Sequence, residues 1–187
     1  MRLDRIYTRG GDAGVTSLGD GARVPKYDIR IQAIGGLDEA NAAIGVALLH
    51  IDEGAIRDTL AMVQNDLFDV GADLCRPEHA DEKKTPLRVT AAQVAALERE
   101  IDRINETLAP LTSFVLPGGS AASAHLHLAR AIVRRAERDM AELASAHGVN
   151  PEALKYVNRL SDLLFVMARA MNENGAADVL WTPGLHR

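Results

Sequence analysis

Several things are scarce in this chain of 187 residues, and each scarcity removes a class of protein. Cys75 is the only cysteine, so an intrachain disulfide and a Cys-based zinc site are both excluded. Aromatic residues make up 4%, against 30 Ala and 22 Leu, a composition that favours helix over sheet. Positive charge is not in excess: 21 Lys and Arg face 26 Asp and Glu, a net charge of −5. That argues against a general nucleic-acid binder, which is usually strongly basic. No apolar run approaches the ~18 residues of a membrane span. The opening MRLDRIYTRGGD lacks the apolar stretch of a signal peptide, and Asp4 and Asp12 come too early for an organellar import peptide. A cytoplasmic, bacterial-type protein is expected. There is no GxxxxGK[ST] loop, no pair of Glu-x-x-His motifs, and no pattern supporting a Ser or Cys nucleophile. His125 and His127 point roughly 200° apart on a helix and cannot share a metal. No side chain is expected to ligate a metal.

What is present falls into one domain over 1–187, with no internal repeat and no low-complexity linker. Residues 1–26 carry five glycines, Gly10, Gly11, Gly14, Gly19 and Gly21, too many for regular helix. They are locally basic, with Arg2, Arg5, Arg9, Arg23 and Lys26 against Asp4, Asp12 and Asp20. Five helical stretches follow within 27–175. The first runs from about Asp28 to His50 with a stripe of Ile34, Leu37, Ile44 and Leu48. Its Gly35, Gly36 and Gly45 cost up to ~1 kcal/mol each, which predicts close packing there. The second spans about Ala55 to Leu74, and its Asp66, Asp69 and Asp73 read as an acidic stripe, either a helix surface or a subunit contact. Residues 76–89 read as an exposed loop. The third opens at Thr90, where Gln93 completes a capping box, with Val94, Leu97, Ile101 and Ile104 as its stripe. A loop unusually rich in apolar residues, PLTSFVLPGG from Pro110 to Gly119, leads to Ser120, which caps a fourth helix of roughly 40 Å ending near His147. Asn150 at N-cap and Pro151 at N1 start the fifth, with Leu154, Val157, Leu160, Leu164, Met167 and Met171 inward. A tail over 176–187 holds Trp181. The fold class expected is all-α: an antiparallel five-helix bundle with an N-terminal Gly-rich loop outside its core.

Three groups of residues could carry chemistry. In TRGGDAGVTSLGDGARVPK, from Thr8 to Lys26, glycine amides, hydroxyls and cations could wrap a phosphate chain; a plain β-hairpin with a Gly turn fits as well. On the fourth helix Arg130, Arg134 and Arg138 share a face at intervals of four. Asp139 lies four beyond Arg135 and Glu142 four beyond Arg138, which also suits a solvated, salt-bridged face. Arg130 and Arg134 have no acid at either i+4 or i−4 and most need an external anion. On the fifth helix Asn158, Ser161, Asp162, Phe165 and Arg169 lie opposite the apolar stripe, a face that reads as solvated, although Asn158 and Asp162 could instead face a ligand.

Five segments in this order resemble the PduO-type corrinoid (cob(I)alamin) adenosyltransferases. They are IYTRGGDAGVTSLGDGARVPK (Ile6 to Lys26), GGLDEANAAIG (Gly35 to Gly45), FVLPGGS (Phe114 to Ser120), RAIVRRAER (Arg130 to Arg138) and YVNRLSDLLFVMAR (Tyr156 to Arg169). The resemblance implies a homotrimer with active sites between subunits, and transfer of the 5′-deoxyadenosyl group of ATP to the cobalt of a reduced corrinoid, with release of triphosphate. It implies ATP as cosubstrate, Mg²⁺ on its phosphates and cobalamin or a related corrinoid as substrate. It places Thr8, Arg9, Gly10, Gly11, Asp12, Gly14, Thr16, Ser17 and Lys26 around the nucleotide, in a loop that orders on binding. Arg134, Arg135, Ala136, Glu137 and Arg138 complete that site, with Arg134 on the phosphates, and Asn158 joins from the fifth helix. Arg130 resembles the family arginine that pairs across the interface with an aspartate matched by Asp38, and Phe114 the residue that crowds the lower face of the corrin. Arg130, Arg134 and Phe114 are thus the expected catalytic set. A reductase and a cobalamin-dependent acceptor enzyme are implied as further partners. The competing reading is a non-catalytic carrier of corrinoid or nucleotide, for which a triphosphate site would be superfluous.

Overall fold

The computed structural model describes residues 6–77 and 86–185. Arg2, Asp4 and Arg5, and residues 78–85 of the expected loop, lie outside the described residues. Five α-helices run in chain order: α1 Ile29–Leu48, α2 Ala55–Leu74, α3 Ala91–Asn105, α4 Ala121–Ala146 and α5 Pro151–Ala170. A 3₁₀ turn, Glu173–Gly175, follows α5. Two three-residue strands, β1 Val15–Ser17 and β2 Arg23–Pro25, pair antiparallel ahead of the helices with Thr16 opposite Val24 and Ser17 opposite Arg23. The Gly-rich segment therefore folds as the hairpin that composition alone allowed.

The helix starts follow from their caps. Asp28 accepts from the Arg30 amide, Ser120 from the Ser123 amide and Asn150 from the Glu152 amide, while Thr90 and Gln93 form the reciprocal capping box. Each side chain satisfies a first-turn donor that the helix itself cannot reach. α1 packs on α4, α4 on α5 and α5 on α3, while α2 leans mainly on α1. The core between them is Ala and Leu with few rings. Tyr156 is its largest fully buried side chain, and its hydroxyl donates to Asp66 at 2.9 Å. Burial and the Asp66 carboxylate push that phenol up, so it stays neutral.

α1 and α4 meet most closely at Gly36, where a Cβ would stand 3.1 Å from Ala136 Cβ and 3.2 Å from its Cα. Close packing at Gly36 holds as expected, whereas Gly35 faces open space. The acidic stripe on α2 is not a surface feature. Asp73 is 1% exposed and Asp66 binds both Tyr156 and Gln93, because this face of α2 turns toward α3 and α5. The polar face expected on α5 is also partly internal: Ser161 and Arg169 are buried. Among the described residues no helix is long and apolar enough to cross a membrane.

Candidate active site

The hairpin end is built on short backbone ties. In the turn before β1, the Asp12 amide donates to Arg9 O at 3.3 Å and the Gly14 amide to Gly11 O at 3.2 Å. The Lys26 amide closes the base on Gly14 O at 2.9 Å. Arg9 adopts φ +60°, and its guanidinium carbon lies 5.7 Å from the centre of the Tyr7 ring. The Lys26 ammonium hangs over the turn: Nζ is 3.0 Å from where a Gly11 Cβ would be. The amides of Gly10, Gly11 and Ala13 donate to nothing among the described residues. Unpaired backbone amides close to an ammonium are a candidate cradle for an anion. The Thr8 hydroxyl lies beside Gly10, and Thr16 sits within β1. The Ser17 hydroxyl is already engaged, accepting from Arg23 at 3.0 Å, while the same guanidinium donates to Gly10 O at 2.6 Å. Arg23 was not among the expected site residues, although its place opposite Ser17 in the hairpin is the signal that reveals it.

The helical face is formed by α4. Arg134 is exposed, and its guanidinium has no partner among the described residues. Arg138 turns back to donate to Arg134 O at 3.1 Å. Arg135 forms an ion pair with Glu39 of α1, which holds its pKa above the usual value. Neither Arg135–Asp139 nor Arg138–Glu142 forms an ion pair among the described residues, so the expected ladder along the helix is replaced by a tie to α1. Ala136 is fully buried against Gly36; its side chain faces the core, not a ligand. Glu137 accepts from Asn158 Nδ2 at 2.7 Å, and Asn158 Oδ1 accepts from Arg159 at 2.6 Å. The structure thus joins two residues that the sequence assigned to one site from two helices.

One turn earlier on α4, Arg130 enters a cleft of about 730 Å³ with Leu111, Phe114, Phe165 and Trp181. Its Nε is buried without a hydrogen-bond partner, and burial together with neighbouring Arg134 lowers its pKa. Phe114 is 76% exposed on the cleft rim, with its ring 5.9 Å from that of Trp181. The tail is laced to the Phe114 loop. Trp181 donates its amide to Phe114 O at 2.7 Å, Leu116 donates to Val179 O at 2.8 Å, and the Ser113 hydroxyl donates to Trp181 O at 2.7 Å. Beneath this seam Arg169 pairs with Asp178 at 2.8 Å, with side chains 5% and 3% exposed, and also donates to Ala109 O at 2.9 Å. Asn172 donates to Asp178 at 3.0 Å and accepts from the Ser120 amide at 3.2 Å. Trp181 and Asp178 are functional candidates that the sequence reading passed over, since a tail has no periodicity to announce its partner.

Asp38 is exposed on α1, at a groove with Ile31, Ile34, Phe68 and Cys75. Like Arg130, its side chain finds no ionic partner among the described residues. The two strands contact no helix through their backbones. Among the described residues no three His, Cys, Asp or Glu side chains gather as for a metal.

A family model described as cobalamin adenosyltransferase matches residues 6–171. The corrinoid adenosyltransferase of Mycobacterium tuberculosis is 51% identical over 187 residues, covering 98% of this chain and 96% of that protein. The cobalamin adenosyltransferase of Cupriavidus metallidurans is 46% identical over 182 residues, covering 96% and 95%. A PduO-type ATP:corrinoid adenosyltransferase from Lactobacillus reuteri, solved as a Phe-to-His variant with cobalamin and ATP, superimposes with TM-score 0.88 at 33% identity, covering 96% of this chain and 97% of that one. An Arg-to-Lys variant of the same enzyme with ATP gives 0.86 at 34% identity, covering 95% and 100%. Matched over residues 6–171 by the family model and over 96% of its length by a PduO-type structure, this chain belongs to the cobalamin adenosyltransferase family, of the PduO type.

Proposed function

We propose that the chain is an ATP:corrinoid adenosyltransferase that moves the 5′-deoxyadenosyl group of ATP to the cobalt of a Co(I) corrinoid such as cob(I)alamin, releasing triphosphate. Reduced cobalt belongs to the substrate and is the nucleophile, so the protein supplies no nucleophile and no general base. Its task is to hold a poor electrophile in line and to stabilise a polyanionic leaving group. The Gly10, Gly11 and Ala13 amides, Arg9 and Lys26 bind the triphosphate, with Thr8, Asp12, Gly14, Thr16 and Ser17 shaping the turn around it. Arg134 meets the phosphates from α4, and the Glu137–Asn158 pair borders the nucleotide. Asp12 and the loop hydroxyls would supply any protein oxygens to Mg²⁺ bound with ATP, and that ion would neutralise charge on the leaving group. The apolar wall of Phe114, Phe165 and Trp181 excludes water from the lower face of the corrin and disfavours an axial ligand, which makes the cobalt easier to reduce.

The observation that carries this reading is the presence of two cationic sets on different elements, Arg9 and Lys26 in the hairpin segment and Arg130 and Arg134 on α4, none with an ionic partner among the described residues. A homotrimer joins them, the hairpin of one subunit meeting α4 of the next, with Asp38 pairing with the neighbour's Arg130. A closed ring of such heterologous contacts satisfies every copy. The enzyme works in the cytoplasm as one domain, fed by a reductase and drained by a cobalamin-dependent enzyme. Anaerobic incubation with chemically reduced cobalamin and Mg-ATP should produce the visible spectrum of the alkylated corrinoid and intact triphosphate. Release of phosphate or pyrophosphate without alkylation would overturn the reading, and binding of both ligands without alkylation would indicate a carrier. Light scattering should give a trimer, and Asp38→Asn and Arg130→Ala should each loosen it, the double variant no more than either alone.

A further inference from the structure

The hairpin has little to hold it. Two strands of three residues are marginal by themselves, and these contact no helix through their backbones. Its tip is nevertheless fixed at one point. The Gly19 amide donates to the carbonyl of Cys75, the C-cap of α2, at 2.8 Å. The last carbonyls of a helix have no amide of their own helix to accept from, and they carry the negative end of its dipole. Here the carbonyls of Asp73, Leu74 and Cys75 each have a donor from elsewhere in the chain. Arg88 Nη1 serves Asp73 O at 3.0 Å and Arg76 O at 2.9 Å, Arg30 Nη1 serves Leu74 O at 2.7 Å, and Gly19 serves Cys75 O. The Asp73 carboxylate, buried below them, accepts from Arg88 at 2.7 Å, from the Val89 amide at 2.8 Å and from Asn150 at 2.7 Å. Arg30 is itself 6% exposed, and burial lowers its pKa against smaller opposing pulls from Asp28, Cys75 and Asp20. The end of α2 is thus a rigid post tied to α1, to the segment before α3 and to the start of α5. The hairpin leans on it at its tip, where Gly19 meets the Cys75 carbonyl.

We propose that this capped end of α2 is the anchor that sets the position of the nucleotide cradle, and that Gly19 and Arg30 are positioning residues for ATP. The proposal rests on the assignment of the hairpin to ATP. Gly19 follows the end of β1, and the unpaired amides of Gly10, Gly11 and Ala13 precede its start, so the strand transmits any pivot at the tip to the cradle. Gly19 is required by space. A Cβ there would lie 3.3 Å from Cys75 O and 3.6 Å from Arg76 Cβ, so a methyl fits only if the post gives slightly and a branched side chain does not fit. Releasing the tip reduces the fraction of chains with a competent cradle, and the apparent ATP dissociation constant rises as the inverse of that fraction. The bond lost is an ordinary backbone hydrogen bond, so the effect is about three- to tenfold. Because the tip lies outside the bundle core, thermal stability is unaffected.

The test compares Gly19→Ala and Gly19→Val with the parent chain, reading ATP binding by calorimetry, corrinoid affinity, melting temperature and amide exchange at Gly19. The expected result is a graded loss of ATP affinity, small for Ala and about three- to tenfold for Val. Corrinoid affinity and melting temperature should stay unchanged, and in the parent chain ATP should slow exchange at Gly19. Parental ATP affinity in Gly19→Val with faster exchange at the tip would overturn the proposal, because the tip would then be free without consequence. Lys26→Ala separates the two levels of the argument. If Lys26→Ala weakens ATP binding and Gly19→Val does not, the anchor fails alone; if neither does, the assignment of ATP to the hairpin fails with it.

Discussion

The hairpin end and the aromatic end of the proposed active site are stabilised in opposite ways. Around Thr8 to Lys26 the ties are short backbone hydrogen bonds at the surface, and the groups facing outward, the Gly10 and Gly11 amides and Lys26, lack partners. Around Phe114 and Trp181 the surface seam rests on a buried ion pair, Arg169–Asp178, which Asn172 ties to the start of α4. The first end keeps its polar groups open at the surface; the second is braced from beneath by buried charge. This difference suits the two substrates. A flexible polyanion can be wrapped by a loop, whereas a rigid macrocycle with a metal at its centre needs a wall already standing, since an apolar surface that yields would readmit water to the cobalt.

The comparison breaks most severely at Arg169. Arg169→Met leaves the Asp178 carboxylate buried and unpaired, and should cost about 3–5 kcal/mol. At about 2–4 °C per kcal/mol for a chain of this size, the melting temperature falls by about 6–20 °C, measurable by calorimetry. Adding Asp178→Asn should recover part of the loss. Next come two variants with opposite selectivity. Arg134→Ala should weaken ATP binding about ten- to hundredfold, the range for a lost charge-assisted hydrogen bond, with the melting temperature unchanged, because its guanidinium has no partner among the described residues. Trp181→Ala should leave ATP binding intact and lower corrinoid affinity, shifting the Co(II) spectrum toward an axially ligated form. If Trp181→Ala instead weakens ATP binding equally, the two ends are not independent.

The smallest effect is a pH dependence at His127. This ring is 2% exposed, edge-on to Phe165, with Nδ1 unpartnered. Burial and the Arg130 charge lower its pKa, against a smaller opposing pull from Asp178. Above its ordinary value near 6.5 the ring is neutral in both folded and unfolded chains and stability does not change with pH. Below that value the unfolded chain takes up a proton that the folded chain refuses, so stability falls until the lowered folded value is reached. His127→Leu should flatten that part of the acid limb in a melting-temperature profile.

Where local chemistry decides, the chain could be read directly. Ser120, Asn150 and the Thr90–Gln93 box each mark a helix start because the cap lies within three residues of the amide it serves. The spacing of Arg130, Arg134 and Arg138 placed them on one helix face for the same reason. Partners far apart in sequence were not visible. Asp73 looked like surface until Arg88 and Asn150 were brought to it from 15 and 77 positions away. Arg169 looked like a polar face because its partner Asp178 lies in a tail with no repeating pattern. Glu39 displaced the expected i+4 partner of Arg135, because a neighbouring helix offered a carboxylate at better geometry. Ala136, set in a run of charges, gave no sign that its methyl was the point of contact with α1.

That last contact governs aim. On α4 each residue turns about 100° from the one before, so the bearing of Arg130, Arg134 and Arg138 is fixed once Ala136 is seated on Gly36. A helix that rolls by about 10° carries a group about 6 Å from its axis sideways by about 1 Å. Displacements of about 1 Å at a reacting centre are enough to cost on the order of a hundredfold in rate. A methyl added at Gly36 would therefore register first as misdirected arginines and only second as a weaker bundle. Drift along this buried seam would come under selection as lost turnover, even though Gly36 and Ala136 lie in the core between α1 and α4 and carry no charge.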